Sequence, residues 1–527
     1  MEVVLDSAIK FKAPVEHAEH ITRAIDKSEI LNVASGVADV LVNWELDEMK
    51  TLARYVPHDI KIPSPIVREY DWPGLFKPFQ HQIETAEFLS LRQRAFCFNE
   101  AGTGKTSAAI WAADYLMKKG LVHRVLVVCP LSIMYSAWQA DLFKTVMHRR
   151  SAVAYGSASR RKNIIESTPH YEFIVTNYDG VGVMHKEIKE GGFDLIIVDE
   201  ANAYKNVSTV RWKKLSKIID ATTYVWMMTG TPASQSPMDA FGLAKIINPN
   251  GITRTATAWR DRVMYQVTRF KWLPKAESKQ TVFDALQPAI RFNKNECLDL
   301  PDVMYQTREV PLTPQALSFY KKLKNDMMIK AAGEEVSAVN AAAALNKLLQ
   351  LSGGAIYTDN QEVLEFDIGP RKQALKEVLE ETEHKVIVFV PYRHTIELVS
   401  NFLRSEGYTV EIISGDVTAR ERGEIFNRFQ TTNNPHVLVI QPQAASHGVT
   451  LTAANTVVFW SPVMSVETYM QCVARIDRVG QKNKMTVVHL QGSEVERRVF
   501  NMLMDKKELH EGLVDLYKQE MEGENNG

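Results

Sequence analysis

The stretch RAFCFNEAGTGKTSAAIWAADYLMKK, residues 94–119, decides the fold. A short apolar run, RAFCF, passes through a Gly-Lys-Thr turn into an apolar-periodic helix. That strand–loop–helix setting is what a phosphate-cradling loop requires. Gly102 and Gly104 let backbone N–H groups close around phosphate oxygens, and the helix N-terminus adds the positive end of its dipole. Lys105 is placed to neutralise the β- and γ-phosphates of ATP and Thr106 to ligate Mg2+, with Thr103 and Ser107 completing the ATP-binding set. Asn99 breaks the general pattern G-x-x-x-x-G-K-[ST], which has glycine there.

About 95 residues downstream, FDLIIVDEANAYKN (193–206) reads as a buried strand ending in two carboxylates. Ligands of open α/β sheets bind at the carboxyl ends of strands. Asp199 can hold Mg2+ through water there, and Glu200 can orient and deprotonate an attacking water. A third stretch, QCVARIDRVGQ (471–481), carries Gln471, Arg475 and Arg478 at i, i+4 and i+7. With Ser465 as N-cap and Gly480 as stop, this spacing predicts one helix face presenting all three. Arginines so presented can stabilise a transferring phosphoryl group, an effect of about 10³–10⁵ in rate.

The rest of the chain supplies the framework. Continuous apolar runs at Ala95–Phe98, Val125–Cys129, Phe173–Val175, Leu195–Val198 and Tyr224–Met228 read as parallel strands buried on both faces. The rhythm resumes at Val386–Val390, Val410–Ile413, Val437–Ile440, Thr456–Trp460 and Thr486–His489. Helical stretches such as Thr106–Lys119 and Arg371–Glu381 lie between, so two parallel α/β lobes are expected. Residues 291–313 read as a connector and 314–351 as helical without strand signal. In residues 1–70, VLVNWELDEMKTL suggests strand then helix. The terminal EMEGENNG is too polar to fold. Formal net charge is −1, so any nucleic-acid surface is a local patch. Cys97, Cys129, Cys297 and Cys472 have no metal or disulfide spacing, and Cys97 and Cys129 read as core. No apolar run reaches the roughly 18 residues of a membrane span, and the N-terminus lacks a signal pattern, so a cytoplasmic protein is expected.

As a set, these motifs resemble the Swi/Snf ATPases, a branch of the superfamily-two helicase-like motors, over roughly residues 75–500. That family has D-E-x-G-x-G-K-T at its phosphate loop, so NEAGTGKT is similar, and the position of Asn99 is polar rather than glycine there too. VVCPLSIMYSAWQADLF (127–143), TNYDG (176–180), MTGTPASQSPMDAFGLAKIINP (228–249), RFNKNECLDLP (291–301) and SHGVTLTAANTVVFWSP (446–462) resemble its further motifs in order. The resemblance implies two RecA-like lobes in tandem, with a helical inter-lobe insertion and a small N-terminal domain. The expected division is 1–70 accessory domain, 71–290 lobe one, 291–365 linker and insertion, 366–510 lobe two and 511–527 tail.

The resemblance also implies site roles. Gln82, with Gln80 as the alternative, would read adenine. Thr229, Thr231, Trp138, Asn202, Ser446, His447 and Thr452 would couple hydrolysis to DNA or touch it. Asn202 stands where relatives have histidine, His447 where they have glycine, and Gln441 where a small hydroxyl residue is common. The implied activity is an ATP-driven translocase on double-stranded DNA, remodelling forks or displacing bound proteins. It would bind without sequence specificity and act as a monomer. Basic clusters at SRRK (159–162), RWKK (211–214) and ARER (419–422) are candidate phosphate contacts. The alternatives are a strand-separating helicase and a non-catalytic scaffold. Only 15 residues separate Asn455 from Gln471, too few for a wedge hairpin there.

Overall fold

All ten apolar runs named above are strands, to within a residue or two at their ends. The computed structural model describes residues 1–4, 7–58, 60–167, 170–233, 236–268, 272–297, 301, 303–333, 338–357, 363–444, 449–478 and 480–505. They form two units that part after Cys297. Ser446, His447 and the tail 511–527 lie outside the described residues.

In the first unit the sheet order is Ala289–Ile290, Arg94–Cys97, Tyr224–Met228, Leu195–Asp199, Val125–Cys129, Phe173–Asn177, Ser151–Val153. Every neighbouring pair is parallel. Alternate side chains of each strand face opposite sides. Val125, Val127 and Cys129 pack with Trp111 and Leu116 of the helix Lys105–Lys118. Leu126 and Val128 pack on the other side with Leu215 and Phe241. This two-sided burial is why the strands read as continuous apolar runs.

The N-terminal residues form a four-stranded antiparallel sheet, in the order Glu2–Val4, Ala8–Pro14, Val37–Asn43, Ser28–Ala34, with helices Val15–Ala24 and Leu46–Tyr55. Ser35 and Gly36 turn its hairpin, both at positive φ (52° and 79°), as tight turns between twisted strands require. Ile9, Val40, Val42, Met49 and Leu52 belong to the same apolar cluster as Trp111. Polar links reinforce it: Tyr70 Oη donates to Asp114 (2.6 Å), Tyr115 Oη to Glu69 (2.9 Å), and the Trp111 indole to the Pro73 carbonyl (2.9 Å).

The second unit holds a six-stranded parallel sheet, ordered Val303–Glu309, Met485–Gln491, Ala454–Phe459, Lys385–Phe389, Val437–Ile440, Val410–Ile413. The connector reading of 291–313 is therefore corrected. Val303–Glu309 is an edge strand, and its half-exposed alternation (VMYQTRE) hid it from a search for continuous apolar runs. Helices Pro314–Gly333 and Ala338–Gly353 fill the expected helical segment. A buried ion pair ties Arg371 to both carboxylate oxygens of Glu496 at 2.8 Å, with Arg371 Nη1 also on the Trp460 carbonyl. Among the described residues no helix is long and apolar enough to cross a membrane.

Candidate nucleotide site

Strand register assembles this site. Cys97 pairs with Met228, and Met228 with Asp199. Three loops therefore leave one sheet edge side by side: Phe98–Gly104, Thr229–Thr231 and the turn at Glu200. Gly102 and Gly104 sit at φ +94° and +75°, and Gly104 caps the helix Lys105–Lys118. Gly104 is favoured by its positive φ, and a Cβ there would lie 2.0 Å from Gln82 Nε2 and displace that side chain.

The loop is braced from two directions. Asn99 is buried, donates to Thr85 Oγ1 (2.8 Å) and accepts the Phe292 amide (3.1 Å). Glu100 accepts the Lys294 amide (2.9 Å) and lies 3.8 Å from the Arg291 guanidinium. Gln82 Nε2 donates to the Gly104 (3.3 Å) and Thr103 (3.4 Å) carbonyls, while Gln80 turns out to Glu84. His81 Nε2 also reaches the Thr103 carbonyl at 2.7 Å. Sequence reasoning passed over His81 and Glu100; their adjacency to Gln82 and Gly102 was the available signal.

Asp199 is buried at its strand end. The Trp138 indole donates to its Oδ2 (2.9 Å) and the Glu200 amide to its Oδ1 (3.0 Å). Burial pushes the Asp199 carboxyl up, Lys105 pulls it down, and Glu200 pushes it up again. Trp138 is fully buried with its indole on the Asp199 carboxylate. Glu200 takes φ +49°, a conformation costly for a side chain with a Cβ, and Tyr178 Oη braces the turn on the Asp199 (2.7 Å) and Glu200 (3.1 Å) carbonyls. Asn202 Nδ2 donates to the Thr231 carbonyl (2.9 Å) and hydroxyl (3.1 Å), and the Thr231 amide donates to Thr229 Oγ1 (3.3 Å). The carboxylate turn and the Thr229–Thr231 loop are thus hydrogen-bonded to each other. Mg2+ fits these residues: Asp199 has its oxygens held by two N–H donors at the sheet edge beside Lys105, an anionic group that a divalent ion would relieve of its burial cost. Thr106 and Asp199 would hold it, and it would neutralise phosphate charge.

In the second unit, Ser465 caps the helix Val466–Val473 as expected. The single face for Gln471, Arg475 and Arg478 is corrected, because the helix ends before both arginines. Turns follow, with the Arg475 amide on the Cys472 carbonyl (3.2 Å). The chain leaves the helix to pair with residues 449–452. The Leu451 amide donates to the Arg475 carbonyl (2.9 Å), and the buried Arg475 guanidinium donates to the Val449 (3.0 Å) and Gln471 (2.9 Å) carbonyls. Arg478 donates to the Ala474 carbonyl (2.9 Å) and Thr450 Oγ1 (3.3 Å). Gln481 bonds the Ala454 (2.8 Å), Ile476 (3.2 Å) and Thr452 (3.4 Å) carbonyls, fixing the turn. Of the basic clusters, Arg211 pairs with Asp179, Arg420 with Glu424, and Arg422 holds backbone carbonyls.

A phosphate loop and an Asp-Glu pair on one edge of a parallel sheet, followed by a second parallel α/β unit, define a nucleotide-binding protein of the helicase-like type. The chain belongs to the SNF2-related family. Residues 81–354 match the SNF2-related domain, and residues 370–480 match the helicase conserved C-terminal domain. An uncharacterized ATP-dependent helicase of Mycoplasma genitalium is 24% identical over 419 residues, covering 78% of this chain and 39% of that protein. Chromodomain-helicase-DNA-binding protein 1-like of Mus musculus is 23% identical over 484 residues, covering 87% of this chain and 52% of that protein. The chain therefore spans about half or less of these two relatives. Putative protein p41 of Acyrthosiphon pisum secondary endosymbiont phage 1 is 24% identical over 470 residues, covering 84% of this chain and 98% of that protein. The solved Sulfolobus solfataricus SWI2/SNF2 ATPase core in complex with dsDNA aligns at TM-score 0.42 and 20% identity, over 85% of this chain and 95% of that one.

Proposed function

We propose that this chain is an ATP-driven motor that tracks along double-stranded DNA. The reading rests on the register that brings the phosphate loop, Asp199–Glu200 and Thr229–Thr231 to one edge, in a chain of the SNF2-related family. Lys105 and the loop amides bind the β- and γ-phosphates. Asp199 and Thr106 would hold Mg2+, which would neutralise phosphate charge, and Glu200 takes the proton of the attacking water. Asn202, bonded to Thr231, carries the change at the carboxylate turn into the loop beyond it. DNA is held through its phosphates, so binding weakens with salt and ignores sequence.

The test is ATP hydrolysis measured with no nucleic acid, duplex DNA, single-stranded DNA and RNA. Duplex is expected to stimulate most. Glu200→Gln is expected to keep ATP binding and to lose about 10²–10⁴-fold in turnover, the contribution of a positioned base. Parental turnover in that variant would remove Glu200 from the site, and stimulation by RNA alone would remove duplex DNA as the track.

A further inference from the structure

Between the helices Ala256–Val263 and Ser278–Ala285 the first unit carries a two-stranded antiparallel ribbon, Met264–Gln266 with Trp272–Pro274, separate from both sheets of that unit. Its register pairs Tyr265 with Leu273 and Gln266 with Trp272. Successive residues point to opposite faces of a strand. One face, Met264 and Trp272, packs against the core of the unit. The other shows Tyr265, Val267 and Leu273 to solvent, 47%, 50% and 37% exposed. A two-stranded ribbon is marginal by itself in water, and an aligned apolar face on such an element is a cost unless something covers it.

The ribbon is rigidly based. The Arg260 guanidinium lies 4.1 Å from the Trp272 ring centroid, the Lys275 amide donates to the Val263 carbonyl (3.0 Å), and Lys275 Nζ to the Asp261 carbonyl (2.7 Å). The buried Trp259 indole donates to the Pro237 carbonyl (3.1 Å), in the segment that follows Thr231. The helix that leads into the ribbon is thus tied to the short turn Pro237–Asp239. Its flanks are cationic: Arg254, Arg262 and Lys279 are exposed and make no ion pair among the described residues.

We propose that this ribbon binds nucleic acid where bases are unstacked, at a branch or a single-strand–duplex junction, with Tyr265 stacking on a base and Arg262 meeting a flanking phosphate. The chemistry selects that occupant. An intact duplex offers phosphates to the arginines but hides its base faces, which leaves Tyr265 and Leu273 in water. An unstacked base covers them, and aromatic–base stacking tolerates any sequence. The inference rests on the DNA-motor reading and adds a structure preference to it.

The experiment compares binding of a labelled fork and a blunt duplex of equal length by anisotropy, for the whole chain, Tyr265→Ala, Tyr265→Phe and Arg262→Ala. The parental chain is expected to prefer the fork by about fivefold to tenfold, the scale of one stacked base. Tyr265→Ala should erase that preference and leave blunt-duplex affinity and DNA-free ATP hydrolysis unchanged. Tyr265→Phe should retain it, and Arg262→Ala should weaken the fork and flatten its salt dependence. Equal loss on both DNAs, an unchanged preference in Tyr265→Ala, or no fork preference in the parental chain would each overturn the proposal. If no DNA stimulates parental hydrolysis, the motor reading falls with it. If duplex stimulates and the preference is unmoved, only the ribbon proposal falls.

Discussion

The Trp138 indole N–H governs how the Asp199 carboxylate is presented, because it is one of the two donors that hold the buried group in place. Replacing Trp138 with phenylalanine keeps an aromatic ring there and removes the donor. Partners that orient a metal-binding carboxylate typically matter about 10–100-fold. Trp138→Phe is accordingly expected to lower Mg2+-dependent turnover by that order, visible as a raised Mg2+ requirement in an ATPase titration. The placement of Lys105 at a helix start and of Asp199 and Glu200 at a strand end was legible in the sequence because it is local. The role of Trp138 was not, since its partner lies 61 residues away and only the fold brings them together. Asn202 stands between the two cases. Its position was legible, but its bonds to Thr231 and its buried Oδ1, without a partner among the described residues, required the structure.

The phosphate loop is an element stiffened by its neighbours. Asn99, which the general motif would replace with glycine, links the loop to the helix Gln80–Ser90 and to Phe292 after the edge strand. Asn99→Gly would restore the general pattern and still weaken the protein. It strips one buried and one part-buried hydrogen bond and loosens the backbone, costing about 2–3 kcal/mol. A lower Tm in calorimetry and a weaker ATP affinity are the expected readings, and an unchanged Tm would show that Asn99 braces nothing. Legibility at this scale followed burial. Strands covered on both faces announced themselves as apolar runs, whereas Ser151–Val153, Ala289–Ile290 and Val303–Glu309 lie at sheet edges, where short length or mixed polarity mutes the pattern. The arginine stretch misled for a different reason. Its i, i+4, i+7 spacing fits a helix, but pairing with residues 449–452 outweighed local propensity.

Across the whole molecule, two buried charges report on stability. In the second unit Glu496 accepts Arg371 and the amides of Gly492 (2.9 Å) and Ser493 (3.1 Å). Glu496→Gln leaves Arg371 buried without its counter-charge and should cost about 3–5 kcal/mol, measurable as loss of that unit's unfolding transition. In the first unit Glu87 accepts the Ser64 amide (3.2 Å), and burial raises its carboxyl to about 7. Between the ordinary carboxylate range and that value, the unfolded chain releases a proton that the folded chain keeps. Stability therefore falls as pH rises from about 4.5 to 7 and is level above, by at most about 3 kcal/mol. Glu87→Gln should match the parental Tm near pH 4 and exceed it at pH 8. Glu87 lies where the N-terminal residues meet the nucleotide-binding sheet, and the shared core around Ile9, Met49 and Trp111 extends that junction. The N-terminal sheet is consequently not a cassette that can be exchanged between motors. A transplanted head would have to bring its own half of the jigsaw for Trp111 and Leu116, whereas exposed positions on the sheet such as Lys12 and Leu31 can be repainted without touching that shared core.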